Sequence, residues 1–127
     1  MASGGFDSDE SMGAGTATSV HCTNLSGKSA QVRFSFYGAG GSLEGVSNFT
    51  LPNLNTETIS THGTFFSDLS LGTGAIQQGV LNIQSTESGV FCSAMLIDAL
   101  GGPGTADVPE GIALHMVRYN PHPGTVE

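Results

Sequence analysis

Apolar and polar residues alternate in short segments along most of this chain, and turn-forming residues separate these segments. Alternation with a period of two is typical of strands that bury one face against a core. The pattern predicts seven strands and no helix, at the spacing expected of a sandwich. The predicted strands are residues 18–24, 30–38, 42–51, 56–62, 76–86, 89–100 and 111–120.

The clearest predicted strand is AQVRFSFYG, residues 30–38. Its alternation directs Val32, Phe34 and Phe36 into the core. The GAGG stretch that ends it permits the positive φ angles of a hairpin. We also predict that residues 76–86 and 89–100 pair with each other around a short turn.

Composition supports a single all-β domain. The chain has 127 residues, of which 19 are glycine, and only 11% are charged, well below the usual quarter of a globular domain. The predicted fold is therefore a single-domain antiparallel β-sandwich of about seven strands. We predict a disordered N-terminal lead over residues 1–18, a sandwich domain over 19–122 and a C-terminal tail over 123–127. Residues 63–75 lack alternation and are predicted to be a long loop.

The N-terminal segment MASGGFDSDESMGAGTATS has neither a basic region nor an apolar region, so it does not resemble a secretory signal. No apolar run approaches the roughly 18 residues of a spanning helix. We therefore expect no membrane insertion and a cytoplasmic protein. The formal charge is −8, with Lys28, Arg33 and Arg118 as the three basic residues. So few cations are available to neutralise phosphates that nucleic acid is not an expected partner.

The last two predicted strands are apolar on both faces, whereas a two-layer antiparallel sheet usually shows water one polar face. Such strands need a second cover, and a subunit interface is the interpretation we favour. Long loops that fold over the strands, or a ligand groove, are the alternatives. The predicted interface residues are Phe91, Met95, Ile97, His115 and Val117.

The order of elements resembles that of a known family. The pattern VHCTN, AQVRFSFY, a strand ending in TLP, TETIST, VFCSAMLIDA and ALHMVRYN resembles the bacterial sensory rhodopsin transducer family over about residues 20–120. The resemblance implies a small β-sandwich that assembles as a tetramer, and a signalling-related role. It carries over no functional residue.

Cys22 and Cys92 are both predicted to point inward from strands. Buried thiols behave as small hydrophobic groups, and without a secretory signal we expect them to be reduced. The alternative is a disulfide across the sandwich. The histidines show no metal-ligand spacing, no GxSxG motif occurs and no phosphate-binding loop is present, so we predict no metal, no cofactor and no catalytic residues.

The resulting functional prediction is a non-enzymatic module that forms a dimer or tetramer and binds an unidentified protein partner. The alternative is a module that binds a carbohydrate or another small molecule through the same residues. The absence of Trp and the presence of only two Tyr weaken this alternative.

Overall fold

The computed structural model describes residues 1–99 and 110–118, and within these ranges the chain forms nine strands and no helix. The predicted all-β class is confirmed, with nine strands in place of about seven. The strands are β1 (Ala2–Asp7), β2 (Thr16–Asn24), β3 (Ala30–Tyr37), β4 (Leu43–Leu51), β5 (Thr56–Ser60), β6 (Leu69–Ser70), β7 (Ile76–Ser85), β8 (Val90–Asp98) and β9 (Gly111–Leu114).

The strands form two sheets that pack against each other. The first has the order β1-β7-β3-β4, and the second has the order β6-β5-β2-β8-β9. All neighbours are antiparallel except β5 and β6. The core lies between the sheets because alternate residues of each strand point inward. Its largest buried apolar side chains are Phe34, Phe36, Leu51, Ile59, Leu81 and Val32.

The prediction of a disordered lead over residues 1–18 is wrong. Residues Ala2–Asp7 form β1, which pairs with β7, and β2 begins at Thr16. The domain therefore includes the first strand. Glycine- and serine-rich β1 has no apolar alternation, so only its pairing with β7 reveals it. The predicted domain end at residue 122 and the tail over residues 123–127 lie outside the described residues.

The prediction that residues 76–86 pair with 89–100 is also wrong. β7 pairs with β1 and β3 in one sheet, whereas β8 pairs with β2 and β9 in the other. The short link between β7 and β8 therefore passes from one sheet to the other. β8 is held in its sheet by an extended pairing with β2, in which all nine residues of β2 have a partner in β8.

The final predicted strand is shorter than expected, because β9 ends at Leu114. Met116 then forms a bridge with Ala2. The Val117 N–H donates to the Met1 carbonyl and the Met1 amino group donates to the Val117 carbonyl, each at 2.7 Å. These contacts join the two sheets along one side. Residues 119–120 of the predicted strand lie outside the described residues.

Candidate functional site

Four of the five predicted interface residues are exposed. On β8, Phe91 is 57% exposed and Met95 is 38% exposed. Beyond β9, Val117 is 52% exposed and His115 is also exposed. Leu114 and Met116 pack against the core, so the alternation directs His115 and Val117 to the opposite, outer side. We call Phe91, Met95, Ala113, His115 and Val117 the β8–β9 surface; Ala113 lies opposite Met95 in the register.

Ile97 does not belong to this surface. It is only 2% exposed and lies between Ala17 of β2 and Gly111 of β9 in the register. A Cβ atom at Gly111 would lie 3.1 Å from Ile97 Cγ2. Ile97 is packed close to Gly111 and is buried, so it offers no exposed contact.

Polar residues of β2 border the β8–β9 surface on the side away from β9. Along β2, Ser19 lies opposite Met95, His21 opposite Ser93 and Thr23 opposite Phe91. The apolar side chains of this surface therefore end at β2 and do not continue across the five-stranded sheet. An apolar patch with a polar border is typical of an interaction site.

A cleft of about 870 Å³ opens between the two sheets beside this surface. It lies where β1 stops, because Ala2 is opposite Leu81 while β7 continues to Ser85. The cleft is lined by Met1, Asn82, Ile83, Gln84, Ser85, Glu87, Ser88, Val90, Phe91, Cys92, Met116 and Arg118.

The inner wall of the cleft is an open end of the core. Leu81 and Ala94 are buried, whereas Ile83, Val90 and Met116 are only partly buried. Polar groups border the mouth of the cleft. Arg118 Nη2 donates to the Ser88 carbonyl at 2.7 Å, and Lys28 Nζ lies 3.1 Å from Glu87 Oε2. These contacts fasten the link between β7 and β8.

Cys22 and Cys92 form a disulfide, so the favoured prediction of reduced thiols is wrong. The two residues lie directly opposite each other in the β2–β8 register, with Cα atoms 4.1 Å apart. This is the close spacing of a non-hydrogen-bonded antiparallel pair. The bond thus joins neighbouring strands of one sheet and does not cross the sandwich. Cys22 is fully buried, whereas Cys92 lines the cleft.

A second polar cluster, which the sequence analysis did not identify, is centred on His62. His62 Nδ1 lies 2.9 Å from Asp7 Oδ1, and Nε2 lies 3.0 Å from the Ala14 carbonyl oxygen. The Thr73 hydroxyl donates to Asp7 Oδ2 at 3.4 Å. His62 and Asp7 are both buried. Because both imidazole nitrogens already have protein partners, neither is free to act as a general base. We interpret the cluster as structural.

Among the described acidic residues, Glu57 on β5 is the one whose pKa is clearly shifted. Partial burial, followed by the negative charge of Asp68, raises the pKa of the Glu57 carboxyl above its usual value. Asp68 Oδ2 accepts a hydrogen bond from the Thr58 N–H at 2.9 Å. The contact fixes Asp68 beside β5. We therefore interpret the Glu57–Asp68 pair as structural.

Within residues 1–99 and 110–118, no three His, Cys, Asp or Glu side chains converge in a way that could hold a metal ion. The same ranges contain no helix that is long and apolar enough to cross a membrane. His122 lies outside the described residues.

Comparison with known proteins gives no relative from which a function could be transferred: no family model, curated protein or solved structure matches the chain.

Proposed function

We propose that this chain is a non-enzymatic interaction module that associates with a second copy of itself through the β8–β9 surface. The observation that carries the proposal is the exposure of three large apolar side chains, with Phe91 57%, Val117 52% and Met95 38% exposed. Burial of such side chains contributes about 1.5–3 kcal/mol each.

The position of the surface favours a second copy as the partner. β9 is the last strand of its sheet, and among the described residues no strand pairs with its outer edge. Unpaired edges with apolar side chains readily accept another chain. The surface itself contains no acidic residue, so charge repulsion between copies arises from the periphery. The resemblance to the sensory rhodopsin transducer family adds the expectation of a tetramer.

Light scattering on a sizing column, over a range of protein concentrations, tests this proposal. We expect a dimer or tetramer for the unmodified chain and a shift to monomer for Met95→Glu, because the new charge would be buried at the interface. Leu25→Glu is the matched control, since Leu25 is exposed in a loop and lies outside the surface. A chain that is monomeric at every concentration would refute self-association.

Small-molecule binding is the second candidate function. The cleft of about 870 Å³ supports it, since ligand pockets usually measure about 300–1,000 Å³. Among the described residues, Phe91 is the aromatic residue of the lining, and its ring would offer a sugar a stacking face. Thermal-shift screening of mono- and oligosaccharides tests this function. A rise in Tm that Phe91→Ala abolishes would support it, and no rise with any sugar would exclude carbohydrate.

The cellular compartment is a further part of the proposal. The expectation of a cytoplasmic protein came from the lack of a recognisable secretory signal, whereas disulfides persist mainly in oxidising compartments. The Cys22–Cys92 bond therefore favours an oxidising location. Thiol labelling of the protein in extracts from its source cells, quenched at lysis, tests this. We expect no labelled cysteine without prior reduction; labelling of both cysteines would favour the cytoplasm.

A further inference from the structure

We propose that the cleft binds an extended peptide segment of a partner protein, which adds an antiparallel strand to the open edge of β7. This site shares Phe91 with the β8–β9 surface, but its main-chain contacts differ because they are on β7, in the other sheet. Met95, which tests the β8–β9 surface, does not line the cleft.

The open edge comprises residues 82–85. On one side, these residues pair with residues 32–35 of β3. On the other side, β1 reaches only to the Ala2–Leu81 pair. Among the described residues, no strand occupies the position beside residues 82–85. Along residues 82–85, β7 is therefore an edge strand of the four-stranded sheet.

The hydrogen-bonding pattern shows which main-chain groups face the cleft. The Thr86 N–H donates to the Gln31 carbonyl, so Gln31 and Thr86 form a hydrogen-bonded pair. Main-chain groups alternate between the two neighbours of an antiparallel strand. Asn82 and Gln84 therefore bond to β3, whereas Ile83 and Ser85 direct their N–H and C=O groups away from β3. An extended peptide supplies both a donor and an acceptor for each of these residues.

The side chains of the cleft define what such a peptide would present. Ile83, Val90 and Met116 are partly buried apolar residues at the open end of the core. A strand beside β7 would point every second side chain toward them. The lining carries both Glu87 and Arg118, so its charge is mixed. The structure thus favours a peptide with apolar residues at alternate positions and polar residues between them.

Amide hydrogen exchange of the full chain provides the first part of the test. In the protein alone, we expect the amides of Ile83 and Ser85 to exchange at least about tenfold faster than those of Asn82 and Gln84, because only the latter are bonded to β3. Slow exchange at all four positions would overturn the proposal. Protection that increases with protein concentration would identify a second copy as the occupant and would equally overturn it.

The second part adds short synthetic peptides in which Thr alternates with Val, Ile, Leu or Phe. We expect at least one peptide to slow exchange at Ile83 and Ser85 by about tenfold or more, while Asn82 and Gln84 stay unchanged. The same peptide with N-methylated inward residues should give no protection. Failure of the whole set to protect these two amides would overturn the proposal.

Two variants separate the cleft from self-association. Ser85→Pro removes an N–H that faces the open edge, and proline is tolerated at such edges. We expect it to weaken peptide binding about tenfold or more while the exchange of the Phe34 and Phe36 amides remains slow. Met95→Glu should bind the peptide normally. Equal binding by the unmodified chain and Ser85→Pro would contradict main-chain pairing at β7.

Discussion

At the residue scale, two glycines make room for one aromatic ring. Gly5 and Gly79 are partners in the β1–β7 register. A Cβ atom would lie 2.3 Å from Phe36 Cζ at Gly5 and 2.2 Å from Phe36 Cε1 at Gly79. Phe36 is nearly fully buried, so its ring cannot move away without disturbing the core. Glycine is therefore required at these positions by close packing and not by an unusual φ angle.

We expect Gly79→Ala to lower the free energy of unfolding by about 1–3 kcal/mol, the usual cost of overpacking a core. Gly40→Ala is the matched control, because no atom lies within 4 Å of an added Cβ there and its φ is not positive. Urea unfolding measures both. Combining Gly79→Ala with Phe36→Leu should cost less than the sum of the two changes. Equal effects at Gly79 and Gly40 would contradict this account.

Glu57 gives a pH-dependent prediction at the same scale. Its raised pKa means that the folded state holds the proton more tightly than the unfolded state. The stability associated with this group is present when the carboxyl is protonated and is lost as pH rises through the raised pKa. We therefore expect Glu57→Gln to be more stable than the unmodified chain at neutral pH, by less than about 1 kcal/mol because the carboxyl is largely exposed.

The Glu57 effect should disappear at acidic pH, where the unmodified carboxyl is protonated in both states. Unfolding curves collected at several pH values measure the difference between the two proteins. A difference that does not change with pH would show that the substitution acts through something other than ionisation.

At the element scale, the ends of strands are fastened by a few specific contacts. His62, after β5, holds both Asp7 at the end of β1 and the Ala14 carbonyl before β2. The two imidazole nitrogens each contact one of these groups, so a single side chain links the end of β1 to the segment before β2. The disulfide likewise links β2 to β8. These contacts together tie four strands to one another, namely β1, β2, β5 and β8.

We expect His62→Ala to cost about 1–3 kcal/mol, because it removes one hydrogen-bond partner of the buried Asp7 side chain and one of the Ala14 carbonyl. His21→Ala is the control: His21 is exposed and bonds only the Thr58 hydroxyl among the described contacts, at 2.6 Å. Chemical unfolding measures both. Adding Asp7→Ala to His62→Ala should recover part of the loss. A loss at His62 no greater than that at His21 would refute the role of the pair.

We expect Cys22→Ala together with Cys92→Ala to lower the free energy of unfolding by about 4 kcal/mol, because the bond closes a loop whose ends are 70 residues apart. The unmodified chain, unfolded with and without reductant, is the companion measurement. A reductant effect on the double variant would reveal a nonspecific action. A loss below about 1 kcal/mol would show that the disulfide contributes little to stability.

At the scale of the whole molecule, two sheets enclose one core, and the described residues leave that core open at one end. The chain carries a formal charge of −8, so two copies repel each other at long range. The β8–β9 surface provides apolar contact area, whereas the charges lie outside it. Self-association is therefore a balance between apolar burial and repulsion.

This balance predicts that added salt strengthens self-association, because screening reduces repulsion while apolar contacts persist. Light scattering at low and high sodium chloride concentration measures the monomer fraction, which we expect to fall as salt increases. An interface held by ion pairs would respond in the opposite direction, so a rising monomer fraction would contradict an apolar β8–β9 contact.

The sequence by itself determined the all-β class and the inward positions of Val32, Phe34 and Phe36, because a period of two is a local property of each strand. It also identified Phe91 and Met95 as candidate interface residues, because they lie on the second apolar face of their strand. Tertiary structure alone decided the rest. The existence of β1, the placement of β7 and β8 in different sheets, the burial of Ile97, the Cys22–Cys92 bond and the open β7 edge all depend on strand pairing between distant segments. Local alternation contains no information about such partners, since pairing is settled by the packing of the whole core.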